Sequence, residues 1–368
     1  MCFNLSRILS PITILRSMRT IKRNKYHSHC KYQWMFAKRL CSSEANASAI
    51  KPCFEFTDGQ KELCLNDPNI AEIVKEKTKR KEFFYGIEIP LKVDLNTCLD
   101  FKMFLPQVPE FMSIVWTKQF SDAIRSASMA KLPNIQTVSQ LTPYIPAMAH
   151  ISLHRLVQQD LNDFLDLNLN NVLVIRGDHV EEGQEYNYAY EAVKYLRAVR
   201  GNSLAIAVAG YPEGYTNLQV GPRNKALDME YLKLKVDVGA NLIFTQLCFS
   251  AEKIIEFIKD AHSAGIAVPI LVGIIVPYSF ANYRIIERIT GVRLSPEARI
   301  EVEQLSSDDT KVKDYFVQLM VRIIQQILEA DLGIYGIQFF TLNHFEPVVE
   351  VLHELRSKGI PKNSKADC

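Results

Sequence analysis

The chain has 368 residues, 48% of them hydrophobic and 23% charged, a globular balance that can bury one large core or two ordinary ones. No apolar run approaches the roughly 20 residues needed to span a bilayer. The formal net charge of +2 hides an acidic body behind a basic opening, which argues against a nucleic-acid footprint.

The opening segment places Arg7, Arg16, Arg19, Lys22, Arg23, Lys25, Lys31, Lys38 and Arg39 before the first acidic residue, Glu44. Basic, rich in Ser and free of carboxylates, residues 1–43 have the composition of a mitochondrial presequence ahead of a matrix protein. A disordered basic tail on a cytoplasmic protein is the alternative. The eight cysteines are scattered, with no Cys-x-x-Cys and no His at ligand spacing, so neither a disulfide framework nor a metal site is expected.

Residues 44–81 are polar and mixed, and end in the charge run Lys75 to Lys81. They read as a linker followed by one short solvated helix. From Glu82 onward, short runs rich in Ile, Val and Phe alternate with segments of helical periodicity. The apolar runs are Phe83–Ile89, Phe111–Thr117, Tyr144–Ser152, Val172–Asp178, Leu204–Pro212, Leu242–Phe249, Pro269–Val276 and Gly333–Leu342. Helices are expected over Leu153–Leu167, Tyr186–Arg200, Leu227–Val238, Ala251–Ala264, Ser279–Thr290, Lys311–Ala330 and Phe345–Lys358. The second unit is the weakest, with a short Ser121–Lys131 and an irregular Leu132–Pro143.

Eight such units over residues 82–360 fit a single closed (β/α)8 barrel, of the TIM type, better than an open doubly wound sheet, with 361–368 as a tail. No Gly-x-Gly-x-x-Gly follows a strand, so a Rossmann nucleotide site is not expected.

A barrel keeps its chemistry at the carboxyl ends of its strands. There the candidates are Glu88, His150, Arg176 with Asp178, Tyr211, Gln246, and Asn343 with His344. Arg176-Gly177-Asp178 follows the buried run Val172-Leu173-Val174-Ile175, where it is either a charged catalytic turn or an ordinary surface turn. Glu88 is either an exposed carboxylate beside Pro90 or a desolvated acid with a raised pKa. His150 could equally be a satisfied core histidine, and Gln246 a buried amide bonded to a neighbouring strand.

In order along the chain, Val174-Ile175-Arg176-Gly177-Asp178, Asn187-Tyr188-Ala189, Val208-Ala209-Gly210-Tyr211-Pro212, Leu232 to Asn241, Thr245-Gln246 and Phe340-Thr341-Leu342-Asn343 together resemble the catalytic domain of the methylenetetrahydrofolate reductase family. The resemblance runs from about Phe83 to Leu355. It implies a flavoprotein barrel in which FAD, reduced by NADH or NADPH, reduces 5,10-methylenetetrahydrofolate to 5-methyltetrahydrofolate.

It further implies that Glu88 is the acid for the bridging nitrogen and that Asp178 is the carboxylate beside flavin and pterin. Trp116, His150, Arg176, Gly177, Asp178, Tyr188, Ala189, Tyr211, Asp228 and Lys235 match cofactor-contacting positions, and Gln246, Phe340 and His344 match substrate-contacting ones. The implied partner is a small-molecule folate, and a homo-oligomer is compatible with it.

The departures concentrate in the folate pocket. Glu88-Ile89-Pro90 is shorter than the family's strand-one motif and lacks its aromatics. Val115 replaces a usual Thr, Tyr215 a usual His, Phe340 a Tyr and His344 an Arg. The chain also ends soon after the barrel, so the regulatory domain of the animal and fungal enzymes is expected to be missing. A catalytically weak or inactive FAD-binding paralogue, serving as a partner or assembly subunit, is the competing reading.

Overall fold

The structure is a computed structural model, described over residues 53–63, 65–90, 98–115, 133–177, 182–215 and 224–360. The first elements are β1 (Cys53–Glu55), α1 (Asp58–Glu62), α2 (Ile70–Lys79), β2 (Phe84–Pro90), β3 (Cys98–Asp100), β4 (Phe111–Val115), α3 (Pro133–Leu141), β5 (Ala147–Ser152), α4 (Gln158–Asp166), β6 (Asn171–Ile175) and α5 (Ala189–Arg200). There follow β7 (Ala205–Gly210), α6 (Lys225–Asp237), β8 (Leu242–Thr245), α7 (Ala251–Ser263), β9 (Ile270–Ile275), α8 (Phe280–Thr290), α9 (Pro296–Gln304), α10 (Asp309–Glu329), β10 (Gly336–Phe340) and α11 (Glu346–Ser357).

Eight strands close a parallel barrel in the order β10-β2-β4-β5-β6-β7-β8-β9. All eight expected strands are present and the (β/α)8 architecture holds. The strands β6 to β10 stop earlier than their apolar runs do, because the rim residues turn away: β6 ends at Ile175, and Gly177 takes φ +78°. Helices pack outside through one face each. α7 buries Ala251, Ile254, Phe257, Ile258 and Ala261, starts at Ser250, whose hydroxyl accepts from Lys253 N, and leaves Ile255 only half-buried.

Three differences from the sequence reading have physical reasons. The stretch expected to be irregular, Leu132–Pro143, contains α3, whose Ile135, Val138 and Leu141 recur at helical spacing and are buried. The helix before the barrel is amphipathic rather than solvated. α2 buries Ile70, Ala71 and Val74, and its Ile70 and Val74 join Phe84, Phe111, Met148, Leu173 and Leu271 in the barrel interior. Finally, among the described residues the connection from β2 to β4 carries no α-helix. It holds β3 and a 3-10 turn at Phe101–Phe104, and β1 pairs with β3 in parallel.

α2 therefore closes the amino-terminal end of the barrel. Its seat is polar: Asn171, fully buried at the start of β6, accepts from Ile70 N (2.7 Å) and donates to Asp67 Oδ1 (2.9 Å) and Pro68 O (3.1 Å). No helix among the described residues is long and apolar enough to cross a membrane. Residues 1–43, the tail 361–368 and Ser121–Lys131 lie outside the described residues.

Candidate active site

Side chains alternate along a strand, so residues two and four beyond the interior Phe84, Phe111 and Met148 also face inward. They are Glu88, Ser113 and His150. Gln338 on β10 joins them by donating from Nε2 to Ser113 Oγ at 2.8 Å, with both side chains fully buried. The barrel interior is thus apolar near α2 and polar toward its carboxyl-terminal mouth.

Glu88 and His150 face each other in the upper layer, with Oε2 and Nε2 3.8 Å apart and only 15% and 4% of their side chains exposed. That distance is too long for a hydrogen bond, and His150 Nε2 has no partner at all, so the histidine is not a satisfied core residue. Burial drives both groups to their neutral forms: it pushes the Glu88 carboxyl up to about 8 and the His150 imidazole down to about 3. At neutral pH the pair is a protonated acid beside a neutral imidazole, not an ion pair. A carboxyl that keeps its proton to about pH 8 can serve as a general acid.

The turn after β10 holds the end of β2. Thr341 Oγ1 donates to Glu88 O (2.7 Å), Asn343 N donates to Thr341 Oγ1 (3.1 Å), and Asn343 Nδ2 donates to Pro90 O (3.1 Å). Leu342 (φ 46°) and Asn343 (φ 65°) are both left-handed, a conformation that costs roughly 1–2 kcal/mol in a residue with a Cβ.

A second group lies at the ends of β6 and β7. Arg176 Nε donates to Asn187 O (3.0 Å), and its guanidinium sits 5.2 Å from the centre of the Tyr188 ring, which stacks on Tyr231. Gly177 needs to be glycine, since a Cβ would lie 2.5 Å from Ser152 Oγ at an already positive φ. Its carbonyl accepts from Tyr215 Oη (2.9 Å), and Tyr215 N donates to Asp228 Oδ2 (2.7 Å).

On the same helix as Asp228, Lys235 is buried, donates from Nζ to Ala209 O (2.5 Å) and lies 5.9 Å from the Tyr211 ring centre. Burial lowers its pKa to about 8, against the opposing pull of Asp228. Ala189, the first residue of α5, is buried in the outer core. Beside this group a cleft of about 790 Å3 opens on the barrel flank, reaching from Tyr211 and Asp228 to Phe257, and neither Glu88 nor His150 lines it.

The remaining candidates lie on other sectors. Gln246 N donates to Gly210 O (2.8 Å) and its Oε1 accepts from Leu247 N (2.9 Å). Phe340 lays its ring over Gly273, where a Cβ would come within 2.5 Å of it. His344 is exposed, with its ring 4.1 Å from that of Tyr278. Trp116 and Asp178 lie outside the described residues.

Sequence reasoning missed Ser113 and Gln338, although a polar residue at an inward position of a buried strand is a readable signal. Among the described residues, no three His, Cys, Asp or Glu side chains come together as a metal site.

A model of the methylenetetrahydrofolate reductase family matches residues 96–356, more than two thirds of the chain. The chain belongs to this family. Among curated relatives, a probable methylenetetrahydrofolate reductase (NADH) of Oryza sativa is 28% identical over 277 residues, covering 70% of this chain and 44% of its own length. Methylenetetrahydrofolate reductase 2 of Saccharomyces cerevisiae is 24% identical over 269 residues, covering 69% and 43%. A probable methylenetetrahydrofolate reductase (NADPH) of Caenorhabditis elegans is 28% identical over 194 residues, covering 51% and 28%. The chain thus spans less than half the length of these relatives.

An uncharacterized protein from Clostridium thermocellum, described as binding two copies of 5-methyl-5,6,7,8-tetrahydrofolic acid, shares the fold at a TM-score of 0.53 and 11% identity, covering 78% of this chain and 99% of that one. The family match opens after β2, so the assignment of Glu88 stands on its geometry.

Proposed function

We propose that this chain reduces 5,10-methylenetetrahydrofolate to 5-methyltetrahydrofolate at the carboxyl-terminal mouth of the barrel, with FAD as cofactor and NADH or NADPH as reductant. The observation that carries this reading is the nearly buried Glu88 carboxyl facing the orphaned His150 Nε2 inside a barrel of this family.

The residues fit a flavin dinucleotide. His150 offers an unpartnered buried nitrogen, Gly177 lets the backbone be approached where a Cβ would intrude, and Arg176 supplies a fixed guanidinium backed by Tyr188. Tyr211, Asp228 and Lys235 extend the same ledge, and Trp116 and Asp178 are assigned to it from sequence. Bound FAD would supply hydride transfer, accepting from the nicotinamide and donating to the folate.

Glu88 holds a proton at its carboxyl and delivers it to the bridging nitrogen, so that the small folate ring opens to an electrophilic iminium. His150, kept neutral, adds no positive charge that would ionise Glu88 early. Gln246 and Phe340 frame the pterin, and His344 closes the rim.

The test is the visible spectrum of the purified chain. Flavin absorbance bleached by NADH or NADPH without oxygen, and restored by methylenetetrahydrofolate, is the expected result. A folded, colourless protein that does not take up added FAD would overturn it.

A second reading, a flavin-binding subunit without turnover, is favoured by His344, which is exposed and leans at a tilt against Tyr278 where the resemblance calls for a substrate-holding Arg. Flavin that is bleached by nicotinamide but never reoxidised by folate would select it. For location, we propose that residues 1–43 direct import into the mitochondrial matrix. A reporter fused to Met1–Ser43 that stays diffuse in the cytosol would end that idea.

A further inference from the structure

The parallel ladder of β1 and β3 is three residues long and sets Cys53 directly against Cys98, Phe54 against Leu99 and Glu55 against Asp100. Leu99 is buried and Phe54 packs on the core, so the alternate positions look outward, and Cys53 is exposed while Cys98 is half-buried. Both are free thiols. Paired strands run about 4.8 Å apart, inside the roughly 4.4–6.8 Å between α-carbons that a disulfide bridges. We propose that Cys53 and Cys98 are a reversible redox pair, a modification site whose reaction partner is a small disulfide of the oxidised-glutathione type.

The chemistry balances by thiol–disulfide exchange. The Cys53 thiolate attacks one sulfur of the small disulfide, forming a mixed disulfide and expelling the first thiolate. The Cys98 thiolate then attacks Cys53 Sγ and expels the second. The protein loses two electrons and two protons, which leave on the two small thiols.

Cys53 is the entry point because it is exposed, whereas burial and the adjoining Cys53 push the Cys98 thiol up to about 12. The consequence is local. A two-stranded ladder of this length is marginal by itself, yet it covers the barrel between β2 and β4, where no α-helix is described. A cross-link there fastens the segment leading to α2. Cys248 is an internal contrast: it is buried beside Glu213 and Ser250.

The full chain is incubated with oxidised glutathione, quenched with N-ethylmaleimide, digested and mapped by mass spectrometry. The expected product is a cross-linked pair of peptides carrying Cys53 and Cys98, released by dithiothreitol. Cys248 should be recovered unmodified by glutathione. Cys98→Ser should stop at one glutathionyl group on Cys53, and Cys53→Ser should leave Cys98 unlinked. Limited proteolysis should cut residues 56–66 several-fold more slowly in the linked form. A parent that stops at the mixed disulfide, a link to another cysteine, or full alkylation of both thiols after oxidation would each overturn the proposal.

Discussion

Thr341 donates its hydroxyl proton to the carbonyl oxygen of Glu88 at 2.7 Å, tying the end of the last barrel strand to the end of the first. With the Asn343–Pro90 bond it fixes where the acid's backbone lies. Thr341→Val keeps the shape and deletes the donor. It should lower stability by about 1 kcal/mol and slow folate-dependent reoxidation while leaving reduction by nicotinamide unchanged. Stopped-flow absorbance separates the two steps, and Thr341→Ser should restore the second.

Glu88→Gln should still be reduced by nicotinamide but lose at least about 100-fold in reoxidation by folate, the usual loss for a general acid. In the parent, that step should be level below pH 8 and fall about tenfold per unit above it, as the carboxyl with a pKa of about 8 gives up its proton. Unchanged reoxidation in the variant would refute the acid assignment.

The same carboxyl makes a stability prediction. Its folded pKa is about 8 against 4.5 for the free side chain, so from pH 4.5 to 8 the folded state holds a proton that the unfolded state has lost. Stability therefore falls as pH rises through that window, by up to a few kcal/mol. Denaturant melts should find Glu88→Gln more stable than the parent at pH 8, with the advantage shrinking toward pH 5. His150 acts in the opposite direction: lowered to about 3, it costs stability as pH falls below 6.5.

Lys235, which the resemblance places among the cofactor-contacting positions, bonds to Ala209 O at the end of β7. Lys235→Ala should thus cost stability, about 1–3 kcal/mol from the lost stem packing and bond, as well as any flavin. Lys235→Met should recover much of the stability but not the flavin content, measured by absorbance per mole of folded protein. Equal flavin in parent and Lys235→Met would place the ammonium outside the cofactor site.

Asn171→Ala removes the group that joins Ile70 N, Asp67 and Pro68 beneath the barrel. Leaving a buried N–H and a desolvated carboxylate without it should cost about 2–4 kcal/mol. Flavin content of the protein that remains folded should not change, because α2 sits at the opposite end from Glu88. A shift within about 0.5 kcal/mol would mean that water replaces the amide.

The barrel was legible because eight β-branched runs alternate with helical periods, and each run is buried on both faces. Glu88 and His150 were legible as polar residues at strand ends, but the sequence left open whether they meet. That depends on register, since Glu88 aligns with Ser113, and Ser113 with Met148, two residues before His150. Ser113 with Gln338 and Cys53 with Cys98 lie far apart in the chain and meet only through strand pairing. α2 was misread because its charge run masks a narrow apolar stripe of Ile70, Ala71 and Val74.

The seam between β2 and β10 also sets a timetable for synthesis. Glu88 and Thr341 are separated by 253 positions, and a ribosome adds roughly 5–20 residues per second, so something like 13 to 50 seconds pass between them. Throughout that interval β2 has no partner on one side, an open edge of the kind that recruits foreign strands. A ribosome stalled before Gly336 would thus carry seven of the eight barrel strands and no Thr341 to hold the end of β2.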